Sequence, residues 1–272
     1  MQSTSNATKF VTKLSSISLT AAMFFSASAF AVSSTHTPIV SLNPITQSPS
    51  LVADKGDARA QYLLARQYRD GKIVSRNIEK SIMLYKASAN QGFAPAQIDL
   101  GELYADGLGV EQNNELALKW FKMAADQGHE TAQYNLGNIY RSGKGTEKNL
   151  EQSFKYYELA AKNGFVKAQY NLALMHYFGM GTKKDLTKVK YWYEKAAEQG
   201  LAQAQYELGN LYKNGNGIEK NYELAYMWYG KASRGGLKEA YDAMKEIKPL
   251  LATQAENDND KKAIIGSEFA LQ

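Results

Sequence analysis

Residues 132–140 read "AQYNLGNIY", and residues 168–176 read "AQYNLALMH". The two stretches are 36 residues apart, and the same step extends well beyond them. "AQ" recurs at Ala60, Ala96, Ala132, Ala168 and Ala204. Gly56, Gly92, Gly128, Gly164, Gly200 and Gly236 keep the same interval. This gives five units, 57–92, 93–128, 129–164, 165–200 and 201–236. A period of this length marks stacked supersecondary units that share a continuous core.

Each unit reads as two helices. In "FAPAQIDLGELYADGLGVEQNNELALKWFKMAADQG", residues 93–128, Ala96, Leu100, Leu103 and Tyr104 recur at helical spacing and predict an apolar stripe on helix A. Pro95 suits the first turn, where its missing N–H costs nothing. The glycines of "DGLG" end helix A. Asn77, Asn113, Asn149, Asp185 and Asn221 then predict the N-cap of each helix B. Glu79, Glu115, Glu151 and Glu223 follow two positions on, where the helix dipole favours an anion.

Small residues set the packing. Gly101, Gly137 and Gly209 on helix A, and Ala124-Ala125, Ala160-Ala161 and Ala196-Ala197 on helix B, predict close helix approach. Two aromatic columns fill the remaining space. One is Trp120, Tyr156, Trp192 and Trp228; the other is Tyr85, Phe121, Tyr157, Tyr193 and Tyr229. Both are expected in the core. After Gly236 a sixth helix A, "LKEAYDAMKEIK", is expected to cap the array over 237–253 and to stop at Pro249.

The flanks differ in character. Residues 1–31 have Lys9 and Lys13, the uncharged "LTAAMFFSASAF" and the small-x-small triplet Ala29-Phe30-Ala31, which together predict a cleavable secretory leader. Export to the periplasm or the medium follows. Residues 32–56 are Ser/Thr/Pro-rich and read as a spacer, and 254–272 as a polar tail. Without residues 1–31 the chain carries 30 basic and 27 acidic side chains. That balance argues against nucleic acid as a partner. The absence of cysteine excludes a disulfide framework and thiolate metal sites.

Catalytic chemistry is sparse. No serine has a lysine three residues on, and no G-x-S-x-G occurs. The glycine pairs follow a helix rather than a strand, so they read as turns and not phosphate loops. His36, His129 and His176 are not paired at helical metal-ligand spacing. No catalytic residue, metal ligand or cofactor site is expected. His129 falls in the helix-entry column of Phe93, Phe165 and Leu201. His176 replaces a tyrosine in the column of Tyr68, Tyr104, Tyr140 and Tyr212, and reads as a core substitution.

The pattern A-x-x-x-L-G-x-x-Y-x-x-G-x-G, followed by the Asn cap, the aromatic pairs and "KAA-x-x-G", resembles the SEL-one-like repeat, an elongated cousin of the tetratricopeptide repeat. The first unit departs at Gly71-Lys72-Ile73, which lacks the second glycine, and the fourth at Ala173 and His176. The resemblance implies an all-α, right-handed α/α superhelical solenoid and a non-enzymatic scaffold that binds another protein or a peptide. It also implies, as alternatives, an immunity protein that neutralises an exported effector enzyme, or a hydrolase of β-lactam or cell-wall amides.

In such superhelices helix A lines the concave side, and the resemblance implies that three columns face that groove, with i, i+4, i+7 spacing in support, since such residues share a helix face. The first is Tyr62, Ile98, Tyr134, Tyr170 and Tyr206. The second is Arg66, Glu102, Asn138, Leu174 and Asn210. The third is Arg69, Ala105, Arg141, Tyr177 and Lys213. Tyrosine offers a rigid contact face, and arginine can fork onto a carboxylate. The expected partner-binding set is therefore Tyr62, Arg66, Arg69, Tyr134, Asn138, Arg141, Tyr170, Tyr177, Tyr206, Asn210 and Lys213, facing a segment with acidic or carboxylate groups. The same tyrosines could instead pack between neighbouring helices.

Overall fold

The computed structural model describes residues 53–251. The expected leader, most of the expected spacer and the expected polar tail lie outside the described residues. Every regular element among the described residues is helical. The A helices are α1 (Ala58–Asp70), α3 (Ala94–Asp106), α5 (Glu130–Ser142), α7 (Val166–Phe178) and α9 (Ala202–Asn214). The B helices are α2 (Ile78–Asn90), α4 (Asn114–Asp126), α6 (Leu150–Lys162), α8 (Leu186–Glu198) and α10 (Tyr222–Arg234). A last helix, α11, covers 238–251. The fold is an all-α solenoid of helix pairs. It divides at Phe165 and Val166 into two compact units, one carrying α1–α6 and the other α7–α11. Within each unit every helix packs on the next in the chain.

The caps form as the sequence predicts. The side chains of Asn77, Asn113, Asn149, Asp185 and Asn221 each accept from the backbone N–H three residues on, at 2.8–3.1 Å. Each thereby satisfies an orphan donor of helix B. Pro95 sits in the first turn of α3. At the far end of helix A, Gly143 takes φ 75° and donates to the Ile139 carbonyl, a left-handed cap that glycine adopts without a Cβ penalty.

The second glycine of the turn has a different task. A Cβ on Gly145 would lie 2.6 Å from the backbone of Asn114, the first residue of α4. The turn after α5 therefore rides directly on the preceding helix B. Ile73 occupies the matching position after α1, and its side chain is 76% exposed.

The helix-A glycines allow the close approach they predict. A Cβ on Gly101 would meet the Phe121 ring at 2.9 Å, and one on Gly137 the Tyr157 ring at 2.5 Å. The second aromatic column is thus the core column: Tyr85, Phe121, Tyr157, Tyr193 and Tyr229 are all buried. The first column is shallower than expected. Trp192 is buried, but Trp120, Tyr156 and Trp228 are half-buried. The Tyr156 ring stacks on Tyr140 of its own repeat at 5.6 Å, and Lys231 Nζ lies 3.9 Å from the Trp228 ring centre on the same helix. Adjacent residues on a helix point about 100° apart, so only one of each pair can face straight into helix A. Phe121→Ala should accordingly cost about 3–5 kcal/mol, as a buried aromatic does. Trp120→Ala should cost less, about 1–3 kcal/mol. Urea titrations of the two variants check the order.

A buried polar ladder lies within the core. Gln97 Nε2 donates to the Ala89 carbonyl at 3.1 Å and its Oε1 accepts from Gln127 at 2.8 Å. Gln61 with Gln91, Gln133 with Asn163 and Gln169 with Gln199 repeat the side-chain bond. The recurrent glutamine of "AQ" therefore ties helix A to the end of a helix B. Ser81 and Ser153 bond the Ala65 and Gly137 carbonyls at 2.8 Å. Satisfied groups of this kind fix register while avoiding a desolvation cost.

His176 is buried at 2% exposure, as a core substitution should be. Pro249 does not stop α11, which runs on to 251. The helix end is exposed there, so water can take the carbonyl that the missing N–H leaves open. The apolar side of α11, with Ala240, Ala243 and Ile247, closes on Ala225 and Tyr229 of α10.

Candidate functional site

The tyrosines of the first column do not form an open contact face. Tyr134, Tyr170 and Tyr206 are 4, 0 and 8% exposed, and Ile98 is 5% exposed. Their rings lie against the core column of the same repeat: Tyr134 to Tyr157 at 5.8 Å, Tyr170 to Tyr193 at 5.6 Å, and Tyr206 to Tyr229 at 5.5 Å between ring centres. Tyr134 also meets Phe165 at 4.9 Å. Their expected role as flat area for a partner is corrected: these rings are packing. The position borders the apolar stripe, and a neighbouring helix covers it. Tyr62 is half-buried and packs on Tyr85 and Phe93.

The second and third columns stay closer to solvent. In the α1–α6 unit, Arg66, Arg69, Glu102, Asn138 and Arg141 are half-buried. Tyr157 organises the last two. Its hydroxyl donates to Asn138 Oδ1 at 2.6 Å and accepts from Arg141 Nε at 3.1 Å. A fully buried ring thus carries one oxygen to the A-helix face and fixes two polar side chains there. The Asn138 amide nitrogen donates no hydrogen bond among the described residues, and its carbonyl side is held.

In the α7–α11 unit the same device recurs on α9. The Tyr229 hydroxyl donates to Asn210 Oδ1 at 2.7 Å, and Asn210 Nδ2 donates to Glu207 at 3.1 Å. On α7 the matching position is Leu174, 2% exposed, so the device is missing there. Tyr177 is half-buried, with Lys184 Nζ 5.2 Å from its ring centre.

Much of the positive charge expected on this face is already paired. Arg69 Nε bonds Asp70 at 3.0 Å and its Nη1 bonds Asp99 at 3.2 Å. Lys213 bonds Glu246 of α11 at 2.7 Å. Arg66 lies 5.8 Å from the Tyr62 ring centre. An acidic segment would have to compete with these internal partners.

Two buried carboxylates, Asp99 and Glu207, lie outside the three columns. Asp99 and Glu207 occupy one further register position, one residue after the tyrosine column, shared with Leu63, Asn135 and Asn171. Burial raises the Asp99 carboxyl above its usual range, against the pull of Arg69, the Tyr85 hydroxyl and Arg66. Burial also raises Glu207, with Asn210 opposing. Glu102 is pushed up to about 7, first by burial and then by the charges of Asp99 and Asp106. A sequence signal existed: an acid in a column otherwise holding amides and leucine.

No group of three or more His, Cys, Asp or Glu side chains among the described residues could hold a metal ion. No helix among them is long and apolar enough to cross a membrane.

The comparisons agree with this architecture. The Sel1 repeat model matches residues 58–93, 94–129, 131–165, 166–201 and 202–237. Among solved structures, a protective antigen present in uropathogenic Escherichia coli strains, displaying an SLR fold, is 32% identical with a TM-score of 0.72. That match covers 73% of this chain and 43% of the antigen, so the chain spans less than half of that relative's length. A Sel1 repeat protein from Oxalobacter formigenes is 32% identical with a TM-score of 0.66, covering 72% of this chain and 78% of that one. The comparison with curated proteins gives no match. Five matched repeats, and relatives at this identity over nearly three quarters of the sequence, establish that the chain belongs to the Sel1 repeat family.

Proposed function

We propose that the chain is an exported protein-binding scaffold that holds an extended segment of a partner protein on its A-helix face. The observation that carries this reading is the tyrosine-held asparagine. Asn138 is fixed through its carbonyl oxygen by a hydroxyl from the core at 2.6 Å, and its amide nitrogen donates no hydrogen bond among the described residues. A pre-oriented amide loses little entropy when it binds, which is what makes a contact worth more than its area. Arg141 stands beside it on the same hydroxyl. The repeat family supports a scaffold role in general, and the secretory pattern of residues 1–31 supports export.

Affinity capture of the leader-free chain from its own envelope fraction, with identification by mass spectrometry, provides the partner. Asn138→Ala and Arg141→Ala should then each weaken binding by about tenfold or more, the scale of a desolvated polar hot spot, with the helical content unchanged. If both variants bind the captured protein normally, the face is wrong. If the captured protein is an effector enzyme whose activity this chain blocks, the scaffold acts as an immunity protein on the same face. Export is checked separately by N-terminal sequencing, which should find the mature chain starting at or near Val32.

A further inference from the structure

Asparagine is followed directly by glycine at Asn163-Gly164, Asn214-Gly215 and Asn216-Gly217. In such a pair the glycine nitrogen can attack the asparagine side-chain carbon, because no Cβ crowds the approach. A bond forms from that nitrogen to Cγ, and the bond from Cγ to the side-chain nitrogen breaks. The proton given up by the glycine nitrogen leaves with the ammonia. Water then opens the cyclic imide to aspartate, or to isoaspartate, in which the main chain runs through the side-chain carbon.

The step needs the glycine N–H, and the fold uses that group at two of the three sites. Gly164 N–H donates to the Ala161 carbonyl at 3.0 Å, and the Asn163 amide donates to Gln133 at 3.1 Å. Gly215 N–H donates to the Leu211 carbonyl at 2.9 Å and closes α9, whose last residue is Asn214. Asn216 spends its own N–H on Leu211 at 3.2 Å. The Gly217 N–H, however, donates no hydrogen bond among the described residues, and the Asn216 side chain makes none there either. Exposure does not draw this distinction, since Asn163 and Asn214 are exposed and Asn216 is half-buried.

The turn does not depend on an asparagine. The position between its two glycines holds Leu108, Lys144 and Met180 in the three preceding repeats. It does depend on a tight backbone. Gly215 and Gly217 take φ 72° and 76°, and a Cβ on Gly217 would collide with the side chain of Leu186, the first residue of α8. An isoaspartyl link inserts an extra backbone carbon immediately before that contact.

We infer that Asn216 is the site at which this chain converts spontaneously to isoaspartate, and that conversion lifts the turn between α9 and α10 off α8. The only co-reactant is water. The product carries a new carboxylate between Lys213 and Lys220. The inference is independent of the scaffold reading.

The test incubates the leader-free chain at mildly alkaline pH, folded and in urea, and then digests it with trypsin. Cleavage after Lys162 and Lys167 releases Asn163, and cleavage after Lys213 and Lys220 releases Asn214 and Asn216 together. Electron-transfer fragmentation locates the change and tells isoaspartate from aspartate. In the folded chain Asn216 should convert at least about tenfold faster than Asn163 or Asn214, since tenfold in rate is about 1.4 kcal/mol, the scale of breaking one hydrogen bond. In urea the three rates should converge, because the bonds that separate them are gone. The isoaspartyl fraction, isolated by ion exchange, should melt below the fresh chain. Asn216→Lys, which copies the turn after α5, should keep its midpoint through the same incubation. Equal rates at the three sites in the folded chain, or a faster one at Asn163 or Asn214, overturn the assignment. A preference for Asn216 that persists unchanged in urea overturns it too, because the fold would then select nothing. An isoaspartyl fraction that melts with the fresh chain overturns the effect on the turn.

Discussion

Replacing Tyr157 by alanine will destabilise the α1–α6 unit by about 3–5 kcal/mol, the range for emptying a buried aromatic site. The ring is fully buried. It fills the gap over Gly137, where even a Cβ would lie 2.5 Å away, and it supports Tyr134 at 5.8 Å. Its partners cannot close the cavity, because α5 and α6 are already in contact at that glycine. Stacked repeats communicate through neighbours, so the loss should reach α4 as well as α6. Tyr157→Phe separates the hydroxyl from the ring. It should cost only about 1 kcal/mol, yet it strips Asn138 of its donor and Arg141 of its acceptor. Urea titrations measure both costs, and the captured partner measures the second effect: weaker binding at nearly intact stability. A Tyr157→Ala protein with an unchanged midpoint would remove this column from the core.

Tyr134 cannot serve as a removable contact, because its ring is packed between Tyr157 and Phe165. Alanine there should damage the fold before it reports on binding.

The repeat, the caps and the glycine approach were legible because each is a local or periodic signal. Asn113 and Leu116 are three residues apart, and any five-fold recurrence of Asn or Asp before a helix reads as a cap. The depth of the aromatic columns was not legible. Trp120 and Phe121 are neighbours of similar character, and which one meets Gly101 depends on the rotation of α4 against α3. The charge balance was hidden for another reason. Arg69 meets Asp99 at a separation of 30 residues, and Lys213 meets Glu246 at 33. Each pair joins equivalent faces of successive A-type helices. A count of cations along one face does not show which acids the next repeat brings to them. The glutamine of "AQ" was visible as a repeat but not as a ladder, since its partners lie at the ends of other helices. Pro249 misled because it sits at an exposed helix end, where water can take the carbonyl that the missing N–H leaves open.

Glu102→Gln should stabilise the protein at pH 8 by up to about 3 kcal/mol and change little at pH 4.5 or below. The folded-state carboxyl titrates near 7, against an ordinary value of 4.5. A group whose pKa is raised on folding supports the native state below its unfolded pKa and loses that support as pH rises through the folded value. Every tenfold weakening of the carboxyl as an acid costs the ionised native state about 1.4 kcal/mol. The window therefore runs from about 4.5 to 7, and above it the native state carries an ionised carboxylate that burial, Asp99 and Asp106 all disfavour. Gln removes the charge and can still accept from Asn135. For a chain of this size about 3 kcal/mol moves a thermal midpoint by roughly 6–12 °C. Calorimetry of both proteins at pH 8 and pH 4.5 isolates the difference, because Asp99 and Glu207 titrate in both. Equal midpoint differences at the two pH values would mean that Glu102 is not strained. Stabilisation confined to high pH would instead identify a charge that folding alone does not reward.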